Sequence, residues 1–479
     1  DKMLKSFRTF NVEENLSSDT VAYLCEDLSY QNQVLYTEEQ TQYKTITFYK
    51  KRSLNEQNVV LIGIKGIQHE YEYRQLGGEV GRFLDQQEIE RVTFNGLKDE
   101  VLPHFLEGLI LGTNYQDDYK KERKSAALKT ISFDNQLDLK SLYQDVLNKT
   151  KATLLARHIS NEPLNQFNAA QYADFITEAF QDLKVDVEVM NKADLISREF
   201  NGILAVSKGS HIEPRVITLK YQTNQELPLT ALVGKGITFD MGGYNIKSGR
   251  DLSGSRVDMG GSAAVFGAIY ELAIQQKEAN VIGIILTTEN LINSEAMVPG
   301  DIIKYRNGLT VQVVNTDAEG RLLLADGLLY AQELGAKSII DIATLTGSIG
   351  GALGQEMAGF FTDDESLRKE LKESAHVTGE KVWELPLIKE YDSSLNSHYA
   401  DLSNLSSLSY AGHITAALFL KRFVDDKISW AHVDIAAMTD VHADRGDYVT
   451  GMTGYGVKLL AKTIEQMNLN HEYGIIEVG

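Results

Sequence analysis

Apolar and polar residues along the first third of the chain repeat with two periods. Runs at 45–49, 59–64 and 91–94 have the length and β-rich composition of strands. Between them, 71–87 and 101–111 place apolar residues at helical spacing. Together they predict a small α/β domain over residues 1–145. The polar, charge-rich stretch 114–125 reads as surface, and 137–160 as one long helix, with 146–160 connecting to a second domain.

From about Asn161 the pattern restarts. Apolar runs at 185–190, 216–221, 229–233, 281–287, 338–344 and 431–436 alternate with helical stretches, which predicts a mostly parallel or mixed sheet covered by helices. The fold class is therefore α/β: a small N-terminal domain joined by a long helix to a larger C-terminal domain, 161–479, with a central mixed sheet. Sites on such sheets gather at the carboxyl ends of strands. No internal repeat or low-complexity tract breaks the pattern.

Composition narrows the setting. A chain of 479 residues, 43% hydrophobic and 24% charged with six prolines, has ample material for large cores and little for disordered linkers. Its net charge of −20 opposes nucleic acid and anionic membranes, so neither is an expected partner. The single cysteine, Cys25, can form no internal disulfide or multi-cysteine metal site and is expected to be inert. No uninterrupted apolar run approaches a membrane span, and the opening DKMLKSFRTF lacks the apolar stretch of a signal peptide. Met3 reads as the natural start, and a cytoplasmic location is expected.

Several familiar catalysts are absent: there is no His-Glu-x-x-His, no Gly-x-Ser-x-Gly elbow and no phosphate-binding glycine fingerprint. What remains is charge set among apolar residues between Lys235 and Arg321. In the first segment a buried-looking strand ends at a glycine-rich turn carrying Lys235, Asp240 and Lys247; a loop with solvated charges is the plain alternative. In the second, Asp258 precedes a small-residue helix, where capping is the plain alternative. In the third, Asp317, Glu319 and Arg321 alternate, so an extended chain would put them on one side, running directly into apolar Leu322–Ala325. A solvated charged face is the alternative there.

If Asp240, Asp258, Asp317 and Glu319 met in one cleft, each close pair would repel by about 4 kcal/mol at an effective dielectric near 20. Two divalent ions would balance four carboxylates and leave Lys247 and Arg321 free for substrate or an anion.

These residues carry a resemblance. The run Asn315-Thr-Asp-Ala-Glu-Gly-Arg-Leu322 matches the signature of the leucine aminopeptidase, or cytosol aminopeptidase, family of dinuclear metallopeptidases. The series Lys235, Asp240, Lys247, Asp258, Asp317, Glu319, Arg321 has that family's spacing. Further matches, including Asn161-Glu-Pro-Leu-Asn165, Ala343-Thr-Leu-Thr-Gly347 and His432-Val-Asp-Ile-Ala436, extend the resemblance from about Arg157 to the C-terminus. The N-terminal domain matches in outline only, which implies a structural or assembly role.

The resemblance implies a metallo-aminopeptidase that removes the N-terminal residue from short peptides with a free N-terminus. One metal would be held by Lys235, Asp240, Asp258 and Glu319, the other by Asp240, Asp317 and Glu319; the metals would be Mn2+, Zn2+ or Mg2+. A water between them would attack the carbonyl polarised by Lys247, with a bicarbonate held by Arg321 as general base. Ser255, Thr344, Leu345, Gly347 and Ala436 are the implied substrate pocket, and the implied assembly is a homohexamer, a dimer of trimers.

Departures bear on specificity. Asn245 stands where many relatives have Ser, and Ser255 where leucine-preferring relatives place Met, so a strict leucine preference is not expected. His413, His432 and Trp430 are expected to be structural. The competing readings are a DNA-binding or regulatory relative, which the −20 charge opposes, and a scaffold that has lost catalysis, which would have to explain seven intact charged positions.

Overall fold

The computed structural model describes residues 7–14, 17–26 and 36–477, with only helical backbone over 473–477; Met3 lies outside the described residues. The described residues form two compact units, one of those up to 154 together with 441–451, the other of 155–440 together with 452–477.

In the N-terminal unit the strands are β1 (Asn11–Val12), β2 (Thr20–Cys25), β3 (Ile46–Tyr49), β4 (Asn58–Gly63), β5 (Arg91–Asn95) and β6 (Thr130–Phe133), in the order β1-β6-β5-β2-β4-β3. Every pair is parallel except β3 with β4. Helices α1 (Glu70–Gln86) and α2 (Leu102–Thr113) pack on this sheet with Leu76, Val80, Phe94 and Phe105 in the core. The late segment 441–451 belongs here through a buried ion pair, Arg74 Nε to Asp447 Oδ2 at 3.1 Å. No local pattern in the sequence announces that return of the chain. Cys25 is buried, and desolvation pushes its thiol up to about 11, against a backbone hydrogen bond from Ile62.

Helix α3 (Leu139–Asn161) matches the predicted long helix within two residues at its start and one at its end.

The C-terminal unit is built on eight strands: β7 (Asp186–Met190), β8 (Arg215–Gln222), β9 (Thr230–Asp240), β10 (Asn280–Asn290), β11 (Ser338–Ala343), β12 (Ala358–Thr362), β13 (Val382–Glu384) and β14 (Ser429–Asp434). Their spatial order is β13-β12-β14-β11-β9-β10-β8-β7. The four central strands β14, β11, β9 and β10 run parallel, and antiparallel β12 and β8 flank them. This is the mixed α/β sheet that the alternating pattern predicts.

Strand β9 runs further than its apolar core. Lys235 lies in the middle of an eleven-residue strand and not in the turn after it, because the glycines on either side of it leave the ladder intact: Gly234 pairs with Ile285 and Gly236 with Thr287. A Cβ on Gly234 would come within 2.7 Å of Ser262 Cα, so only glycine lets helix α4 (Gly260–Ile274) press onto the strand. The stretch Ser255–Ile274 is long and apolar enough to cross a membrane by composition, but 83% of it is buried inside the protein, and it is a core helix of this unit. Helix α5 (Gly320–Glu333) covers the sheet with Leu322–Leu324 and Leu328 in the main core.

Candidate metal centre

The carboxyl ends of the parallel strands collect the charged residues. Asp240 ends β9, Asn290 ends β10, Thr344 follows β11 and Asp434 ends β14. Asp258 comes from a short 3-10 turn, Ser255–Met259, ahead of α4; Asp317 and Glu319 come from the turn into α5.

Asp240, Asp317 and Glu319 each place a carboxylate oxygen within 4.8 Å of the others. Two ammonium groups sit among them. Lys235 Nζ lies 2.8 Å from Asp258 Oδ1 and 3.0 Å from Glu319 Oε1, and donates to the Thr344 carbonyl at 3.1 Å. Lys247 Nζ lies 2.6 Å from Asp317 Oδ1 and 3.3 Å from Asp240 Oδ2. Gly320 makes the first arrangement possible, since a Cβ there would stand 2.7 Å from Lys235 Cε.

Third-segment geometry differs from the extended chain expected of it. Asp317 lies in a turn, Glu319 N-caps α5, and Arg321 is inside that helix. The backbone folds because Thr316 and Asp317 are tied back: Asp317 N–H donates to Asn315 Oδ1 at 2.8 Å, and Thr316 N–H to Asn245 Oδ1 at 2.8 Å. The charges converge through tertiary contacts and not through alternation. Asp258 does not cap α4 either; Met259 holds the N-cap position, and the Asp258 carboxylate accepts from Lys235 and from the Thr344 hydroxyl at 2.7 Å.

Four carboxylates face two ammonium groups, and the shortage of cation is visible in the electrostatics. Burial, then Asp240, raise the carboxyls of Glu319 and Asp317; burial raises Asp258 despite Lys235. Burial disfavours the charged forms of Lys235 and Lys247, but Asp258 with Glu319 around the former, and Asp240 with Asp317 around the latter, outweigh it and raise both. Asp258 Oδ2 is buried with no hydrogen-bond partner. An oxygen-rich donor set with acid in excess and an unused buried oxygen fits hard or borderline divalent cations.

Arg321 is buried, and its Nε and Nη1 have no partner; burial pulls its guanidinium down to about 10, against Glu319 and Asp434. Unsatisfied buried donors on a guanidinium suit a planar anion.

Residues that the charge pattern does not reveal hold the centre in shape. The Asn290 amide donates to Asp240 Oδ1 at 2.9 Å and to the Thr316 carbonyl at 3.1 Å. A buried amide closing a strand whose residues are all buried is the signal that could have marked it. Asn245 and Thr316 stitch the Lys247 loop to the Asp317 turn: Asn245 N–H donates to Thr316 Oγ1 at 2.8 Å, and that hydroxyl donates to the Gly242 carbonyl at 2.6 Å. Asp434 accepts from Thr346 Oγ1 at 2.6 Å and from the backbones of Leu345 and Ala436, both at 3.3 Å, fixing two of the pocket positions named from the resemblance. Of the others, Ser255 opens the turn that carries Asp258, Thr344 contacts Asp258, and Gly347 N-caps the helix Ser348–Leu353.

His432 and Trp430 both bond Asp341 inside the sheet, and His413 bonds Ser348. None of the three is in the carboxylate cluster.

The model of the cytosol aminopeptidase family, catalytic domain, matches residues 154–461. A probable cytosol aminopeptidase of Rickettsia canadensis (strain McKiel) is 38% identical over 368 residues, 75% of this chain and 74% of the relative. One from Prochlorococcus marinus (strain AS9601) is 40% identical over 350 residues, 72% and 71% of the two chains. Among solved structures, the bottromycin maturation enzyme BotP in complex with Mn superposes with a TM-score of 0.84 at 27% identity, covering 95% of this chain and all of that one. The chain belongs to the cytosol aminopeptidase family, and is a metal-dependent aminopeptidase.

Proposed function

We propose that the enzyme is dinuclear and removes single N-terminal residues from short peptides. The observation that carries this is the convergence of Asp240, Asp317 and Glu319 around Lys235 and Lys247, with acid in excess and Asp258 Oδ2 unused. Lys235, Asp240, Asp258 and Glu319 would hold one ion, and Asp240, Asp317 and Glu319 the other. Lys235 would serve as a ligand in its neutral amine form, because adjacent dications disfavour the protonated form. When bound, the ions supply an acidified water and polarise the carbonyl, and a bicarbonate supplies a general base.

The protein's own groups do the rest. With cations compensating Asp317 and Asp240, the Lys247 ammonium would be free to donate an N–H hydrogen bond to the oxygen of the first peptide carbonyl. Arg321, whose buried Nε and Nη1 lack partners, would hold the bicarbonate. Thr344, Leu345, Gly347 and Ala436, with Ser255, form the side-chain pocket, whose polar Ser255 argues for a broad rather than leucine-only preference.

Oxygen-rich ligation admits Mn2+, Zn2+ or Mg2+; manganese is the first ion to try, given the Mn of the BotP structure. The assembly is a cytoplasmic homohexamer, a dimer of trimers, that admits only short peptides. Metal counting tests the dinuclear reading: about two ions per chain in the wild type, and about one in Asp317→Ala, are expected. One ion per wild-type chain at saturation contradicts it.

A further inference from the structure

A cleft lies in the C-terminal unit, and none of the residues that line it belongs to the carboxylate cluster. Its volume is about 930 Å3, and Lys192, Lys208 and Lys304 line it. In a chain with 67 acidic residues against 47 basic ones, carboxylates are in surplus, and lysines of the same unit find them: Lys220 pairs with Glu188, Lys421 with Asp363. Among the described residues the structure gives the side chains of Lys192, Lys208 and Lys304 no such partner.

Between the lysines the wall is aliphatic. Ala205 and Ile303 are buried against the core, while Ile196 and Ile302 are 57% and 51% exposed. Exposed isoleucines beside unpaired ammonium groups match a ligand with an apolar body and an anionic head. Glu213 and Glu295 also line the cleft. Three lysines against two glutamates leave one net positive charge, which favours a carboxylate over a phosphate dianion.

The cleft is hydrogen-bonded to the catalytic loop. The Asn293 amide donates to the Lys208 carbonyl at 2.9 Å, and the Tyr244 hydroxyl donates to the Asn293 carbonyl at 2.7 Å. Tyr244 is three residues before Lys247. Ser210, in the same wall, bonds Glu289, the neighbour of the Asn290 that holds Asp240.

We propose that this cleft is a regulatory site for a small amphipathic carboxylate, an aliphatic chain with one ionised head, whose occupancy alters peptide turnover through the Tyr244 loop. A fatty acid and the C-terminus of a short apolar peptide both present that chemistry.

The test uses the metal-loaded enzyme with octanoate and N-acetylleucine as probes, and acetate and octanol as head-only and tail-only controls. Calorimetry and peptide turnover are measured on the wild type and on Lys208→Glu/Lys304→Glu, two exposed positions outside the catalytic machinery. The proposal expects one of the two probes to bind at one site per chain and to change turnover at least twofold. Binding should weaken at least tenfold in the double variant, whose turnover without probe stays at the wild-type level. Whichever probe binds more tightly identifies the source. Absence of binding, binding or inhibition that persists in the double variant, or binding without change in turnover would each overturn it. Basal turnover, read in the same samples, keeps such a failure separate from failure of the aminopeptidase reading.

Discussion

Two buried polar clusters sit on the same sheet and have opposite characters. Asp341, on β11, takes Trp430 Nε1 on one oxygen at 2.7 Å and His432 on the other, so both carboxylate oxygens are used. Burial disfavours the charged imidazole of His432, but Asp341 outweighs it and raises its pKa. Around Lys235 and Lys247, by contrast, four carboxylates share two cations, and Asp258 Oδ2 and two Arg321 nitrogens lack partners. A carboxylate with both oxygens taken contributes to the fold, although His432 Nε2 is left buried without a partner; a cluster of four carboxylates short of cations holds capacity for ligands.

The sharpest break of this comparison is at Glu319, which reaches Lys235 and lies in the carboxylate triad. Glu319→Ala should lower kcat/KM by about a thousandfold or more, because it removes a donor proposed to serve both ions. Direct metal counting on that variant should show lost occupancy with the fold retained by circular dichroism. Lys247→Ala should cost about a hundred- to a thousandfold in kcat with both metals still bound, the scale for losing a donor to a developing oxyanion. Equal loss of metal would instead make Lys247 a structural cation.

A smaller effect is expected one step out. Asn245→Ala cuts the stitch to Thr316, and should lower kcat about ten- to a hundredfold with little change in KM, since a misplaced Lys247 acts on the transition state more than on binding. On the Asp341 cluster the signature reverses. Asp341→Ala should cost about 3–5 kcal/mol of stability by leaving His432 without its charge partner, while kcat per folded molecule stays near wild type.

A pH-dependent effect is expected at Asp326, in α5, which accepts from the Ile203 N–H at 2.7 Å; burial pushes its carboxyl up to about 7. A carboxyl raised on folding contributes stability that is fully present below its unfolded pKa, about 4, and is lost as pH climbs toward about 7. Asp326→Asn should therefore raise the melting temperature relative to wild type at pH 8 more than at pH 5, with both proteins measured metal-free.

Legibility in the sequence follows the range of the interactions. Strands and helices with a clear period, such as 281–287 within β10 or 137–160 for α3, are readable because local patterning decides them. The sequence pattern places Lys235 in a turn because glycine is a common breaker; in the structure Gly234 is there for the close approach of Ser262. Alternation of Asp317, Glu319 and Arg321 suggests an extended segment, whereas bonds from Asn315 and Asn245 bend it into a helix start. Asn290, Asp434 and the return of 441–451 depend on residues about fifty to several hundred positions away, which no local window contains. The charged residues themselves are legible as a set because so many charges among apolar neighbours demand compensation.

The most direct test of the central claim is release of the N-terminal residue from a panel of short peptides by chelated protein, before and after addition of Mn2+ or Zn2+, with N-acetylated peptides as controls. The account predicts cleavage that metal restores, that stops after free N-termini are blocked, and that spans several side chains. Metal-independent cleavage, or cleavage of the acetylated peptides, would contradict it.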